Sequence, residues 1–445
     1  MSDRKPNVIV LFSDQQRWDT LGCYGQKLPV SPNLDKMAEE GVRFDLAFTC
    51  QPVCGPVRAC LQTGKYATEV DCHRNGRHLP LNIDTVARQM KDAGYTTGYI
   101  GKWHLASGPN SFDGDLDPDY RVFPIPEEYR GGYDYWLASD VLEFTSHGYD
   151  GYMFDGDGKP RFFPYGRYRV DAHTDWVMEY LEQQTKDDPF YLFVSYIEPH
   201  HQNDHQCYEG PKGSKEYWKN YEIPGDLAGK PGDWVENYPD YLGCCNALDN
   251  AVGRVFDKLE EMGLSDDTLI IYTSDHGSHF KTRNSEYKRS CHDGCLRVPM
   301  IVKGPGFTGG EVNDNLVSLI DVPKTVLTAG GANIPDDWQG IAMQDAVGKS
   351  GVQDVVFAQI SENHIGRAIR THKWKYEVWA DGSGWEQGQS DRYQERFLYD
   401  LEADPHERNN LITKPEYADI RRELCEMLKA KMVEANEPEA AIIPA

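Results

Sequence analysis

Val8-Ile9-Val10-Leu11-Phe12 runs directly into Ser13-Asp14-Gln15-Gln16, and that junction decides the fold. Five consecutive apolar residues, three of them β-branched, leave no face for water. They read as a strand buried on both sides, as in a parallel sheet, with polar groups delivered at its C-terminal end. Three more segments repeat the design: 95–100 leads to Gly101-Lys102-Trp103-His104, 190–197 to Glu198-Pro199-His200, and 268–273 to Ser274-Asp275-His276-Gly277. Buried strands that each carry a charged or imidazole group past their ends form the ligand-binding layout of an open α/β sheet.

Helical patterns lie between these strands. Ser31-Pro32-Asn33-Leu34 opens a capped helix, 83–93 continues the helical pattern to a stop at Gly94, and 241–262 forms a long amphipathic helix. Residues 105–172 are rich in Asp, Gly, Pro, Tyr and Phe with little periodicity, so a loop-rich insertion above the sheet is expected there. Short strands at 355–360, 366–370, 374–379 and 396–400, then a helix at 415–434, predict a small antiparallel sheet with a helix. The expected organisation is a catalytic α/β domain over 1–349 and a small α+β subdomain over 350–445. Its large sheet is expected to be mixed, mostly parallel and flanked by helices.

Composition narrows the function. Asp and Glu total 71 against 46 Lys and Arg, a formal charge of −25. That field repels nucleic acid and anionic membranes, and neither is expected as a partner. A local cluster of cations can still receive a small anion. No run reaches the roughly 20 apolar residues of a membrane span. The start carries only the five-residue run at 8–12, too short for an export signal, so a cytoplasmic location is expected. The eleven cysteines are odd in number and lack paired CxxC spacing, which predicts mostly reduced, buried thiols.

Cys54 is the exception. Cys54-Gly55-Pro56-Val57-Arg58 is followed by Leu61, Thr63 and Gly64. Elsewhere, Asp14-Gln15 and Asp275-His276 offer carboxylates, an amide and one imidazole, a donor set that suits Ca²⁺, Mg²⁺ or Mn²⁺ better than zinc. Lys102, His104, His200 and Lys288 add cations and proton-transfer groups. A His near neutrality can deliver a proton at working pH, and lysines can stabilise charge on an ester's oxygens.

The C-x-P-x-R frame with L-x-T-G downstream resembles the signature of the formylglycine-dependent (type I) sulfatases of the alkaline phosphatase superfamily. Gly101-Lys102-Trp103-His104-Leu105 is similar to that family's G-K-W-H-L stretch, and Pro199-His200 to its P-H element. Lys288, Asp293-Gly294 and Arg297-Val298-Pro299 are similar to its K-x4-E-G-x2-R-V-P element, with Asp293 in place of Glu. The resemblance implies an alkaline-phosphatase-like sandwich and a sulfatase acting on sulfate monoesters, expected to be those of a carbohydrate. It implies Cys54 oxidised to formylglycine by a maturation enzyme, with Arg58 orienting its hydroxyl. It implies one divalent metal, Ca²⁺ before Mg²⁺ or Mn²⁺, on Asp14, Gln15, residue 54, Asp275 and His276. His200 becomes the general acid, and His104 assists release of sulfate. Lys102, Lys288, Asn75 and His292 fall near the substrate.

Two positions depart from the family pattern. Val57 stands where a small or polar residue is usual. Gln15 stands where the second Asp is usual, as in the phosphonate monoester hydrolases. A phosphonate or phosphodiester hydrolase of the same superfamily therefore stays open, as does a non-catalytic binder of sulfated sugars.

Overall fold

Along the first strand, Val8, Val10 and Phe12 enter one hydrophobic core while Ile9 and Leu11 enter another. Neighbouring strands divide in the same way: Tyr191 and Phe193 share the first core and Leu192 and Val194 the second. The period-2 alternation of a strand thus builds a sheet with helices on both faces.

The computed structural model describes residues 4–107 and 119–445. Among them, one large sheet is made of β1 (Asn7–Ser13), β2 (Val42–Phe48), β3 (Thr96–Lys102), β4 (Tyr135–Ser139), β5 (Ser146–His147), β6 (Asp150–Asp155), β7 (Pro160–Phe162), β8 (Phe190–Ser195), β9 (Thr268–Ser274), β10 (Met300–Lys303) and β11 (Glu311–Ser318). Its centre, in the order β9-β1-β8-β3-β4, is wholly parallel, so the C-terminal ends of these strands share one edge. β10 runs antiparallel between β9 and β2, and β6 runs antiparallel beside β4.

Helices Arg169–Glu182 and Trp234–Glu261 cover the face of Ile9 and Leu11, through residues such as Trp176, Leu181, Leu248 and Val255. Helices Cys54–Thr63 and Val322–Gly330 cover the other face through Val57, Leu61, Val326 and Leu327. Fully burying one such side chain stabilises by about 1.5–3 kcal/mol.

A second sheet follows, with β12 (Val355–Ile360), β13 (Ile365–Thr371), β14 (Trp374–Ala380) and β15 (Arg392–Asp400) antiparallel and β16 (Ala441–Ile443) parallel to β15. Helix Ala418–Glu434 buries Leu424, Leu428 and Met432 in the same core that holds Phe357 and Tyr376. The fold is the expected mixed α/β sandwich with a smaller, mainly antiparallel sheet.

Inside the stretch expected to be loop-rich, β4 to β7 instead widen the large sheet. β4 is an interior strand between β3 and β6, but it is only five residues long, and β6 and β7 have wet faces on which Tyr152 and Phe162 meet solvent, so the apolar signal is diluted. Residues 108–118 of that stretch lie outside the described residues. All eleven cysteines are free thiols. Among the described residues, no helix is long and apolar enough to cross a membrane.

Candidate active site

Cys54 opens its helix after an extended Val53 (φ −145°, ψ 130°), so its side chain sits at the positive end of the helix dipole. Gly55 is required there, because a Cβ would come within 2.8 Å of Asn75 Oδ1. That oxygen instead accepts the Gly55 N–H at 2.9 Å. Pro56 falls in the first turn, where an N–H has no helical partner to lose. Val57 is fully buried in the main core.

Around the Cys54 sulfur, Lys288 Nζ donates at 2.8 Å and His276 Nε2 stands at 3.3 Å. Asp14 Oδ1 lies 3.5 Å away. Burial alone would raise the thiol's pKa, but Lys102, Lys288, His276 and His104 together hold it well below the usual thiol range. A chain of net charge −25 thus presents a cationic pocket to this one side chain.

Arg58 braces the pocket from beneath. Its guanidinium donates to Asp14 Oδ2 at 3.0 Å, to the Lys102 carbonyl at 2.8 Å and to Ser195 Oγ at 2.7 Å. It thereby ties the ends of β1, β3 and β8 together. Lys102 Nζ also donates to Asp14 Oδ2, at 2.7 Å. Burial and Cys54 push the Asp14 carboxyl up, yet Lys102, His200 and Arg58 outweigh them and leave it strongly acidic.

Asp14, Cys54, Asp275 and His276 each offer a ligand atom within 4.8 Å of the others. Three observations show that this cluster fits a hard divalent cation. Asp275 Oδ2 is buried without a hydrogen-bond partner. Burial, Asp14 and Cys54 push the Asp275 carboxyl well up despite Arg58 and Lys288, which is the mark of a negative charge that its neighbours do not fully balance. His276 Nδ1 lies 2.8 Å from the Gly277 carbonyl, which keeps the proton there and leaves the Nε2 lone pair aimed at the cluster.

Gln15 is placed by its backbone. Its φ of 71° is left-handed, a strain that persists only where the surroundings enforce it. Its N–H donates to Asp275 Oδ1 at 2.7 Å, and its amide contacts Tyr208 OH at 2.6 Å and the His201 N–H at 3.4 Å. His104 carries the same strain, with φ 60°, and both its ring nitrogens are buried without hydrogen-bond partners.

His200 completes the group. Its Nδ1 is 3.0 Å from Glu143 Oε2, and its Nε2 faces the pocket, 4.0 Å from Asp14 Oδ1 and 3.5 Å from Tyr287 OH. Burial favours the neutral ring and Lys102 opposes charge too. Tyr287, Asp14 and Glu143 prevail and push the pKa up to about 10. Asn75 reaches the helix start as described above. His292 turns elsewhere: its Nε2 lies 3.1 Å from Tyr399 OH and its ring meets Phe397, both on β15.

Several residues that shape the site carried little or no recognisable signal. Glu143 comes from the aperiodic stretch before β5, and Ser195 is simply the last residue of β8. His279 Nε2 donates to the Lys288 carbonyl at 3.0 Å and so braces the segment that carries Lys288. Tyr241 OH donates to the Gln15 carbonyl at 2.7 Å. His279 and Tyr287 had sequence clues, the first lying three residues after His276 and the second immediately before Lys288.

Comparison with known proteins agrees with this geometry. The family model described as Sulfatase matches residues 6–332, and that of the N-sulphoglucosamine sulphohydrolase C-terminal region matches 286–434. The chain is 30% identical over 450 residues to an ulvan-active sulfatase of Formosa agariphila, covering 97% of this chain and 82% of that one. It is 27% identical to an N-acetylglucosamine-6-O-sulfatase of Bacteroides thetaiotaomicron, covering 98% and 88%. A solved structure of the putative sulfatase yidJ from Bacteroides fragilis is similar with a TM-score of 0.85 at 25% identity, covering 98% of each chain. The chain belongs to the formylglycine-type sulfatase family of the alkaline phosphatase superfamily, and it is a sulfatase.

Proposed function

We propose that this sulfatase removes sulfate from monoesters of a small saccharide, with residue 54 in its formylglycine form and one divalent cation, Ca²⁺ in preference to Mg²⁺ or Mn²⁺. The observation that carries the proposal is the nest around Cys54: a buried sulfur at a helix start, 2.8 Å from Lys288 Nζ and 3.3 Å from His276 Nε2. The sulfur stands in for a hydroxyl oxygen of the aldehyde hydrate, which supplies the nucleophile once the residue is converted. Asp14, Gln15, Asp275 and His276 would hold the cation, which supplies positive charge against the sulfate oxygens.

The chain's own groups do the rest. Lys102 and Lys288 stabilise charge on the sulfate oxygens as the ester bond breaks. Arg58 fixes Asp14 rather than reaching outward. His200, whose Nδ1 lies 3.0 Å from the Glu143 carboxylate, presents its Nε2 proton to the departing sugar oxygen. His104, unpartnered at both nitrogens, takes a proton from residue 54 in the step that releases sulfate. Asn75 keeps its Nδ2 donor for the ester, since its Oδ1 is held by Gly55. His292 supports the wall from β15.

The ulvan-active and N-acetylglucosamine-6-O-sulfatase relatives support a saccharide substrate. Cys54 and Val57 are buried, so the maturation enzyme acts on this chain before it folds.

The test is the mass of the peptide containing residue 54, from protein made with and without a maturation enzyme. A loss of about 18 Da with the enzyme is the expected result. An unmodified thiol in both preparations would overturn the catalytic reading in favour of a non-catalytic binder. Gln15 keeps the phosphodiester reading as the competitor, and faster turnover of phosphate diesters than of sulfate monoesters would favour it.

A further inference from the structure

Among the described residues, two groups of His, Cys, Asp and Glu converge closely enough to hold a metal ion: the Asp14 centre and the trio His147, Asp204 and His205. The second trio lies outside the catalytic cluster, where the end of β5 meets the loop that follows His200. We propose that His147, Asp204 and His205 bind a divalent transition-metal ion of the zinc class, separate from the catalytic cation.

The arrangement is that of a ligand set and its supports. His147 Nε2 lies 2.8 Å from Asp204 Oδ2 and His205 Nε2 lies 3.9 Å from the same oxygen. Each ring is held at its other nitrogen by a further carboxylate: His147 Nδ1 is 3.1 Å from Asp150 Oδ1, and His205 Nδ1 is 2.5 Å from Glu209 Oε1. A carboxylate at Nδ1 fixes the tautomer and makes Nε2 a better ligand, the support that metal-bound histidines ordinarily have. Asp204 is oriented as well, because Gln202 Nε2 donates to its Oδ1 at 2.8 Å and leaves Oδ2 facing the rings.

Two imidazoles and one carboxylate with a free position suit zinc or its neighbours, not Ca²⁺. A tetrahedral ion keeps its ligand atoms about 3.3 Å apart, a spacing bracketed by the 2.8 and 3.9 Å seen here. The two rings are stacked, with centroids 4.3 Å apart and planes 8° from parallel, so binding tilts them until both Nε2 lone pairs converge. Each Nε2 must give up its proton, so binding weakens as pH falls.

The ion would fasten the loop after His200 to the β5–β6 turn. The same loop is already tied to the stretch just before β5 at the His200 brace, where Asn203 Nδ2 donates to Glu143 Oε1 at 3.0 Å and Gln202 Nε2 to the Glu143 carbonyl at 3.0 Å.

The test is calorimetric titration of ZnCl₂ into full-length Cys54→Ala/His276→Ala protein, because the thiol and imidazole of the catalytic centre would themselves take zinc. One equivalent is expected to bind, tightest near pH 7.5 and weaker by about tenfold or more near pH 5.5. Adding His147→Ala/His205→Ala should weaken it at least about tenfold, while adding Asp14→Asn leaves it in place. Equal binding with and without His147→Ala/His205→Ala, loss on adding Asp14→Asn, or no binding below about 1 mM would overturn the proposal. Should these variants fold poorly, diethyl pyrocarbonate labelling of the wild type decides. Zn²⁺ should protect His147 and His205 from modification, and unchanged labelling would refute the site.

Discussion

Against the second sheet, Arg367 of β13 and Glu437 are buried as deeply as Asp14 and Asp275 at the ends of β1 and β9. Arg367 Nε meets both Glu437 oxygens at 2.6 and 2.7 Å, and its remaining nitrogens donate to the Gly366 and Gly388 carbonyls at 2.7 Å each. Gln359 closes the set by donating to Glu437. That cluster is complete. At the catalytic end, Asp275 Oδ2 and both nitrogens of His104 are buried without partners, and Gln15 and His104 sit at left-handed φ. Buried charge that is fully satisfied holds a fold together, whereas buried charge left incomplete, on strained backbone, is kept for something that arrives later.

The contrast predicts opposite phenotypes. Cys54→Ala should cost at least about 10⁴-fold in kcat/KM, because on the proposed mechanism it removes the reacting atom, while denaturant unfolding moves far less than in Arg367→Ala, since only the sulfur's contacts with Lys288, His276 and Asp14 are lost. A variant that loses activity only in proportion to its loss of folded protein would break the comparison. Arg367→Ala should do the reverse, since it strands the Glu437 charge in the interior. Urea unfolding should fall by about 3–5 kcal/mol with kcat per folded molecule unchanged. A kcat loss without destabilisation would show that the satisfied cluster belongs to the site after all.

Within the incomplete cluster, His200 can be separated from its neighbours by leaving group. His200→Ala should slow hydrolysis of an alkyl or sugar sulfate by about 10²-fold or more. An activated aryl sulfate, whose phenolate departs unaided, should lose far less. Equal losses on both substrates would assign His200 to binding instead of proton delivery.

The two regions also differ in how much of them was legible in the chain. Asp14, Lys102, His200 and Asp275 could be read because each follows a continuous apolar run, and a strand buried on both faces has no other signature. Four strands of the second sheet were readable to within about four residues, for example β12 at Val355–Ile360, whereas the three-residue β16 was not. β2 was not, because its sequence VRFDLAF alternates and half-exposes Arg43 and Asp45, which weakens the apolar signal. Glu143 was invisible for a different reason. It acts through contacts made across the fold, to His200 Nδ1 at 3.0 Å and to Asn203 Nδ2 at 3.0 Å, and long-range contacts leave no periodic trace. His292 shows the converse: its position beside a family motif suggested the substrate, whereas its ring turns to Tyr399.

Glu143 therefore offers the finest test of the comparison. Its carboxyl is held down to about 2: burial opposes ionisation, but His200 and Lys102 outweigh it, so it is charged at working pH. That charge favours protonated His200, whose pKa is raised. A general acid works only while protonated, so activity should fall as pH rises through the His200 pKa. Glu143→Gln keeps the shape and removes the charge. The alkaline limb of the pH–rate profile for a sugar sulfate should then move to lower pH, with a loss of about tenfold or less in kcat at neutral pH. If Glu143 merely anchors Asn203, which donates to it at 3.0 Å, the variant would change stability or KM and leave the alkaline limb where it is. A limb that moves on the sugar sulfate but not on an activated aryl sulfate would tie the effect to proton delivery, because only the first substrate needs the proton.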